Sequence, residues 1–389
     1  MSFVLLLLPP SRSDAHGLAH RLLGLVTPLR LALTAQDAGA TAVHLAAGAE
    51  SLADCLGDAR LRIPVLSTPP PAHCPAIAVC ADVVIDVASL RDLHDGVNDG
   101  RARCIGHGSA SVVARAPEAD DRASHGPPIP LVHAHAFGFQ PMQVVTSDDA
   151  RRARKALLRS VRKSEDGLVS SWINRPLSLL VTRALVHTSL RPNHLTLMFA
   201  IMGAASGAFA MRGDRFGIIV GAALLQLQSV LDGCDGELAR LTHRRSKLGE
   251  WLDTLADDVT QWSFYGGAAW GLAHSTGNRA YLAAGAIIVG CALIVAAIEY
   301  RYLWRIGSGD LLRYPLSLER PGEPPGAASM LRPLFRRDTF VLLTFLAALA
   351  NLLGAMLFVC AAGALVILAA VIRAERSRPE APAPEITSR

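Results

Sequence analysis

Four aspartates lie in two pairs within residues 231–258, and each pair has helical spacing. Asp232 and Asp235 are three residues apart, and Asp253 and Asp257 are four residues apart. Because residues three or four apart share a helix face, each pair should point in one direction. Carboxylates that converge from two helices suit hard divalent cations such as Mg²⁺ or Mn²⁺, which prefer oxygen ligands. The spacing therefore predicts a cation site between two helices.

Small and basic residues accompany the four carboxylates. Gly236, Ala239 and Gly249 leave room for a ligand or a neighbouring helix to approach the backbone. Arg240 lies one turn beyond Gly236 and can reach a phosphate as a bidentate donor. The surrounding segments are apolar, and ionisable groups at membrane depth are costly and usually functional. Together these residues predict a diphosphate site at the cytoplasmic face of a membrane.

Apolar segments follow one another through the second half of the chain. Six membrane spans are predicted, at about 194–211, 216–231, 259–273, 280–300, 339–353 and 355–372. The last two form one run without a charged residue from Thr339 to Ile372. At about 1.5 Å per residue such a helix would far exceed the roughly 30 Å hydrocarbon core. A hairpin that turns near 351–354 resolves this excess length.

Basic residues cluster beside the apolar segments, at 151–163, 240–247, 301–313 and 332–337. Lys and Arg at these positions follow the positive-inside rule and attract anionic lipid. This predicts a multi-pass protein of the cell inner membrane, with both termini and the active site cytoplasmic. The net charge of +5 could indicate nucleic-acid binding, but the clusters lack interleaved aromatic residues, so we expect no nucleic-acid partner.

The bulk composition separates this chain from ordinary soluble enzymes. Hydrophobic residues make up 51% and charged residues only 18% of its 389 residues, which is unusually apolar for a soluble protein. The seven cysteines are scattered without a Cys-x-x-Cys pair, a pattern that predicts neither a zinc site nor a disulfide framework. We expect a reducing, cytoplasmic setting for the soluble part.

The first 150 residues alternate between strand-like and helix-like segments. "FVLLLL", "TAVHLAA", "IPVLST", "AIAVCADVVID" and "MQVVTS" are typical of strands, and alternating units of this kind predict a mostly parallel sheet covered by helices. Phe3–Leu8 is interpreted as the first buried strand, not as a signal peptide. The predicted fold class is thus a soluble α/β domain ahead of an α-helical integral membrane domain with six transmembrane helices.

Four regions are predicted along the chain. They are an α/β domain at 1–147, an amphipathic juxtamembrane linker at 148–192, a membrane domain at 193–375 and a disordered tail at 376–389. The linker has apolar residues at roughly helical spacing just before the first long apolar run. This favours a helix on the membrane surface, and a soluble linker helix is the alternative.

The complete acidic pattern, Asp-x2-Asp-Gly-x2-Ala-Arg-x8-Gly-x3-Asp-x3-Asp from Asp232 to Asp257, resembles the motif of the CDP-alcohol phosphotransferase family. The segment "RPNHLT" at 191–196 is also similar to that family's entry to its first span. The resemblance implies that all four aspartates bind two Mg²⁺ or Mn²⁺ ions. It also implies that Asp257 is the general base, and that Gly236, Ala239, Arg240, Gly249 and Asp232 lie along the CDP.

The same resemblance implies an activity and partners. A family member transfers a phosphatidyl or phospho-alcohol group from a CDP-linked lipid or alcohol donor to a small alcohol acceptor, and CMP is released. Membrane lipids and a second copy of the chain, as a homodimer, are the other expected partners. A divalent-cation carrier that uses the same carboxylates is the alternative from a different class, and Arg240 beside the acids argues against it.

The α/β domain resembles the nucleotidyltransferase of bifunctional inositol-phosphate cytidylyltransferase/phosphotransferase proteins, with Asp82 in the place of its metal-binding aspartate. The Gly-rich phosphate loop that should follow the first strand is replaced by "PPSRSDAHG". Prolines lack the backbone donors that such a loop needs. We therefore expect a degenerate, inactive domain with a structural or regulatory role.

The acceptor is left open by the sequence. The fusion architecture favours a phosphorylated polyol such as inositol 1-phosphate, whose phosphate Arg301 and Arg305 could bind. Family members that use inositol phosphate commonly carry Arg after the last motif aspartate, and this chain has Asp258 there. A glycerol-type or unphosphorylated acceptor is the alternative, and the two arginines could equally be membrane anchors.

Overall fold

The structure, a computed structural model, describes residues 3–10, 21–68, 70, 74–97, 103–105, 112–115, 139, 141–161, 167, 169–314 and 337–376. Two units can be separated. The first unit combines residues 1–163 with 183–189 and 237–244, and the helical unit contains 164–182, 190–236 and 245–389. The segment "PPSRSDAHG", from Ser11 onward, and the predicted tail beyond Arg376 lie outside the described residues.

Short strands and three helices make up the described part of the first unit. The strands are β1 (Phe3–Leu8), β2 (Arg21–Leu22), β3 (Leu25–Val26), β4 (Ala40–Leu45), β5 (Val65–Leu66), β6 (Ala76–Cys80), β7 (Val83–Val84), β8 (Arg103–Ile105), β9 (Val112–Arg115) and β10 (Met142–Gln143). The helices are α1 (Thr27–Ala38), α2 (Val87–Val97) and α3 (Ser147–Ser160).

A six-stranded sheet in the order β5-β4-β1-β6-β9-β8 forms the centre of this unit. β1 pairs in parallel with both β4 and β6, so that Leu5 lies opposite Val43 on one side and Ile77 on the other. β9 pairs antiparallel with β6 and β8. The residues of β1 are apolar on both faces and mostly buried, as expected for a central parallel strand. The predicted α/β class and its mainly parallel strands are confirmed.

Residues 237–244 pack within the first unit although they follow the first aspartate pair in sequence. The buried Arg30 guanidinium donates to the backbone oxygens of Leu241 at 2.9 Å and Leu22 at 2.8 Å. Asp37 pairs with the His243 ring at 2.7 Å. Cationic donors commonly satisfy the free carbonyl groups at the end of a helix. The α/β domain therefore holds the chain that follows Arg240.

Long helices make up the helical unit, which begins with a π-helical turn at Ser170–Asn174. They are α4 (Arg175–Leu185), α5 (Pro192–Ala210), α6 (Arg215–Leu231), α7 (Gly233–Leu241), α8 (Lys247–Thr276), α9 (Ala280–Ile306), α10 (Arg337–Leu349) and α11 (Leu353–Arg376). Asn351 adopts φ +60° between α10 and α11, a left-handed conformation that ends helices. The predicted turn near 351–354 is confirmed.

Within the described residues, three helical stretches are long and apolar enough to cross a membrane: Arg215–Leu241, Ala280–Ile306 and Leu353–Arg376. The prediction of a helical membrane domain is confirmed at this level, and the count of six spans stays a prediction. α10 has only 13 residues, and such a helix covers only about 20 Å at 1.5 Å per residue. α8 carries its charged residues in its first turns, which shortens its apolar part.

Apolar side chains cover the outside of the helical unit. Among the described residues, every exposed large hydrophobic side chain except Leu66 lies in it or in the adjoining helix α4. The pattern of burial in α4 is opposite to that of a helix in a soluble protein. Its polar residues Ser178 and Thr182 are buried, and its apolar residues Leu177 and Leu180 are exposed. Apolar patches of this extent mark contact with lipid or protein. α3 differs from α4, because its apolar residues Ala150, Ala153 and Leu157 are buried.

Glycines allow α5 and α8 to approach closely. A Cβ atom at Gly207 would lie 2.2 Å from the Ser263 backbone oxygen, and one at Gly267 would lie 2.2 Å from the Gly207 oxygen. Gly203 and Gly207 follow the small-xxx-small spacing that lets helix backbones meet in membranes. These contacts fix α5 against α8, the helix that carries Asp253 and Asp257.

We expect Gly207→Ala to destabilise the protein, because the added methyl must displace backbone. Overpacking of this kind typically costs about 1–3 kcal/mol, more than the gain in helix propensity of about 1 kcal/mol. Gly290→Ala is the matched control, since a Cβ there meets nothing within 4 Å. Unfolding of both variants in detergent measures the difference. Equal stability of the two variants would contradict the close approach of α5 and α8.

Candidate functional site

The first aspartate pair lies where α6 ends. Asp232 follows the last residue of α6 and directly precedes α7, and its backbone N–H donates to the Gln228 oxygen at 2.8 Å. Asp235 lies in the first turn of α7. The second pair lies on α8, which begins after Ser246, whose hydroxyl accepts from the Gly249 N–H at 3.0 Å. This cap sets the start of α8.

Gln228 joins the two pairs. Its amide nitrogen donates to the Asp232 carboxylate at 3.3 Å and to the Asp257 carboxylate at 3.4 Å. The first and last aspartates of the motif, 25 residues apart in sequence, therefore share one neighbour. This meeting of α6 and α8 is the arrangement that the spacing predicts.

Asp235 is held in place by its own surroundings. Its side chain is buried, and it accepts hydrogen bonds from the Thr196 hydroxyl and from the Gly236 N–H. Thr196 belongs to the "RPNHLT" segment at the start of α5. Its hydroxyl thus fixes the carboxylate on α7 from a third helix, a typical arrangement for a group that orients a ligand.

The carboxylates create a concentration of negative charge. Asp232 interacts electrostatically with Asp257, Asp253 and Asp235, and with Arg337 as a counter-charge. Carboxylates at close range repel one another, and a bound divalent cation relieves that repulsion. The donor chemistry therefore fits divalent cations. Among the described residues no three His, Cys, Asp or Glu side chains already stand in a ligating arrangement, so the carboxylates would have to turn from their protein partners.

Arg337 is a site residue that the sequence reasoning missed. Its guanidinium forms an ion pair with Asp257 and also donates to the Gln228 side-chain oxygen at 3.4 Å. The sequence interpreted it as part of the basic cluster that flanks a span, and it lies 80 residues beyond Asp257. It is the first residue of α10.

The remaining motif residues lie on the same elements. Ala239 and Arg240 occupy the last turns of α7 and are partly buried. Gly249 lies beside α5, since a Cβ there would be 3.1 Å from the Asn193 side-chain oxygen. Their assignment to the CDP stays a prediction.

The predicted acceptor residues lie near the end of α9. Arg301 and Arg305 are both exposed there. Asp258, the departure from the family pattern, accepts a hydrogen bond of 2.5 Å from the Tyr300 hydroxyl. The role of the two arginines in binding an acceptor phosphate stays a prediction.

Asp82 in the first unit is buried between β6 and β7. Its carboxylate accepts a hydrogen bond of 2.8 Å from the Gln143 side chain, and its backbone oxygen accepts one of 2.9 Å from Val144. These bonds tie the β6–β7 connection to β10. They are compatible with the structural role expected of this domain.

Comparisons with known proteins agree with the motif. The chain is 38% identical over 124 residues to the bifunctional IPC transferase and DIPP synthase of Archaeoglobus fulgidus. The aligned region covers 32% of this chain and 24% of the relative. It is 36% identical over 165 residues to the protein of the same name from Rubrobacter xylanophilus, covering 42% of this chain and 36% of the relative. The chain thus spans well under two thirds of either relative.

A solved structure also overlaps with the chain. It is the phosphatidylinositol phosphate synthase of Mycobacterium tuberculosis with CDP-DAG bound, 16% identical, with a TM-score of 0.41 over 53% of this chain and 96% of that one. This overlap is too loose to assign a fold or a ligand. The family model for CDP-alcohol phosphatidyltransferase matches residues 189–372, which contain the whole acidic motif. The likeness to this family thus covers 184 of the 389 residues.

Proposed function

We propose that the protein is a metal-dependent CDP-alcohol phosphotransferase of phospholipid biosynthesis. It would transfer a phosphatidyl or phospho-alcohol group from a CDP-linked donor, most simply a CDP-linked lipid, to an alcohol acceptor and release CMP. The observation that carries this proposal is the meeting of Asp232 and Asp257 at Gln228, with Arg337 as their counter-charge. Random acidic residues would not combine this spacing with this convergence.

Asp232, Asp235, Asp253 and Asp257 would hold two Mg²⁺ or Mn²⁺ ions. When bound, such ions neutralise the diphosphate of the donor, which is what phosphoryl transfer chiefly requires. Gly236, Ala239 and Gly249 would leave space for the CDP, and Arg240 would donate to its phosphates.

Asp257 would take the proton of the acceptor hydroxyl. The acceptor oxygen then forms a bond to the phosphorus of the transferred group, the bond from that phosphorus to the oxygen of CMP breaks, and CMP leaves with the electron pair. Arg337 would orient the Asp257 carboxylate and balance its charge. A general base of this kind typically contributes about 10²- to 10⁴-fold to the rate.

The membrane placement is proposed from the same unit. The candidate spans and the exposed apolar side chains support an integral membrane domain at 193–375. We propose six spans, with both termini and the site at the cytoplasmic face of the inner membrane. The exposed Leu177 and Leu180 support a place for α4 in the lipid interface. The homodimer stays a prediction.

The test is release of CMP by the purified full chain in lipid nanodiscs. The protein is incubated with CDP-diacylglycerol, Mg²⁺ or Mn²⁺, and a panel of alcohols that includes glycerol, inositol and their phosphates. We expect CMP release that depends on both an acceptor and the cation, with no release in excess chelator and recovery when the cation is restored. Full activity in chelator would contradict the role of the aspartates. Absence of CMP release with every acceptor would contradict the proposed reaction.

A further inference from the structure

A cavity lies between α8, α9, α10 and α11 of the helical unit. Its volume is about 260 Å³. Asp258, Glu299 and Arg337 line its polar end. Gln261 and Tyr265 also line the cavity, and most of its other lining residues are apolar, Ile288 and Ile367 among them. Because Arg337 also pairs with Asp257, the polar end adjoins the proposed general base. Asp257 itself is not among the described residues that line the cavity, and its ion pair with Arg337 connects it to the polar end.

The charges at the polar end disfavour an anionic ligand. Among the residues that the structure describes, two carboxyl groups, Asp258 and Glu299, and the Arg337 guanidinium line the cavity there. That guanidinium already serves Asp257 and Gln228. The Tyr300 hydroxyl holds the Asp258 carboxylate at 2.5 Å. A phosphate would meet like charges at close range, which is strongly unfavourable, whereas hydroxyl groups can donate to both carboxylates.

The rest of the cavity is suited to hydrocarbon. From Glu299 to Ile288 the lining residues of α9 follow one face of the helix, a length of about 16 Å at 1.5 Å per residue. Phe340 and Val341 of α10 and Ile367 of α11 face the same space. Arg301 and Arg305, the predicted partners of an acceptor phosphate, are not among the residues that line it.

We infer that this cavity is the acceptor site and that the acceptor is an alcohol without a phosphate group, whose hydroxyls bind Asp258 and Glu299 and whose hydrocarbon portion lies along α9 and α11. The inference rests on the proposed transfer reaction and names the chemical class of its acceptor. It replaces the phosphorylated polyol that the domain fusion suggests.

The test compares matched acceptors with the full chain in nanodiscs that contain CDP-diacylglycerol and Mg²⁺. One set is 1-O-octylglycerol, glycerol and glycerol 3-phosphate, and the other is inositol and inositol 1-phosphate. In whichever set supports CMP release, we expect kcat/KM for the phosphorylated member to be at least about tenfold lower than for the uncharged one. Octylglycerol should exceed glycerol by about tenfold or more, since its CH₂ groups leave water when they enter the cavity.

Variants locate the effect in the cavity. Glu299→Gln should raise kcat/KM for the phosphorylated acceptor relative to the uncharged one by about tenfold, because one like charge is removed. Ala364→Trp should lower the ratio of octylglycerol to glycerol, because Ala364 lines the cavity. Leu365→Trp is the matched control on the exposed face of α11 and should keep that ratio. Donor binding and elution as a single species confirm that each variant is folded.

The outcomes separate the two proposals. A higher kcat/KM for the phosphorylated acceptor than for the uncharged one would overturn the inference while the transfer reaction stands. The same holds if Glu299→Gln leaves the ratio of phosphorylated to uncharged acceptor unchanged and Ala364→Trp leaves the ratio of octylglycerol to glycerol unchanged. Absence of CMP release with all acceptors would overturn the transfer reaction and, with it, this assignment.

Discussion

Replacing Asp235 by Asn is expected to abolish CMP release while the helical unit stays folded. The amide keeps the shape of the carboxylate, and its single oxygen can still accept from either the Thr196 hydroxyl or the Gly236 N–H, which bond to different oxygens of Asp235. It lacks the negative charge that binds a hard cation. Loss of a group that merely supports a metal ligand typically costs about 10- to 100-fold. Loss of the ligand itself should therefore reduce the rate by more than about 100-fold.

Thr196→Val is a second, milder variant that tests the support of Asp235 by its neighbour. It removes the hydroxyl that positions Asp235 and keeps the side-chain volume, so we expect a loss within the range of about 10- to 100-fold for a supporting group. The rate is measured over a series of Mg²⁺ concentrations, because a weakened site should be partly restored by excess cation. Asp235→Asn that retains a tenth or more of the activity would rule out Asp235 as a ligand.

Local spacing explains how the aspartate motif could be found in the sequence. Asp253 and Asp257 lie one turn apart on α8 because the helical repeat is fixed, whereas Asp232 lies between α6 and α7 and Asp235 lies on α7. Gln228 lies four residues before Asp232, in the last turn of α6. The strands of the first unit were also predictable, since Phe3–Leu8 and Ala40–Leu45 are apolar runs bounded by turn residues. In both cases the information lies within about ten residues of sequence.

Arg337 shows where such reasoning ends. Its sequence neighbours are basic residues beside an apolar run, and nothing in that pattern tells a membrane anchor from an ion-pair partner. Its pairing with Asp257 depends on how α10 packs against α6, and α10 also departs from the predicted span by its short length. Likewise, the surroundings of Asp258 could not be predicted from the sequence, because Tyr300 and Glu299 reach it from α9, about 40 residues further along the chain.

The second large effect is expected at the ion pair of Asp257 and Arg337. If Asp257 is the general base, Asp257→Asn should lower the rate of CMP release by about 10²- to 10⁴-fold or more. The affinity for the CDP-donor at fixed Mg²⁺ should change far less than in Asp232→Asn. Arg337→Met should also lower kcat, because the Asp257 carboxylate would lose the partner that orients it and would keep only the weaker contact from Gln228 at 3.4 Å.

The double variant Asp257→Asn with Arg337→Met separates a shared role from two independent ones. Residues that act as a unit give strongly non-additive losses, so the double variant should be little worse than Asp257→Asn alone. Losses that multiply would mean that Arg337 serves the reaction apart from Asp257, for example through the cavity that it lines. Equal weakening of donor binding in Asp257→Asn and Asp232→Asn would make Asp257 a ligand only. In that case the proton would have to pass to Asp258 or to water, and Arg337 would orient a metal-binding carboxylate instead of the base.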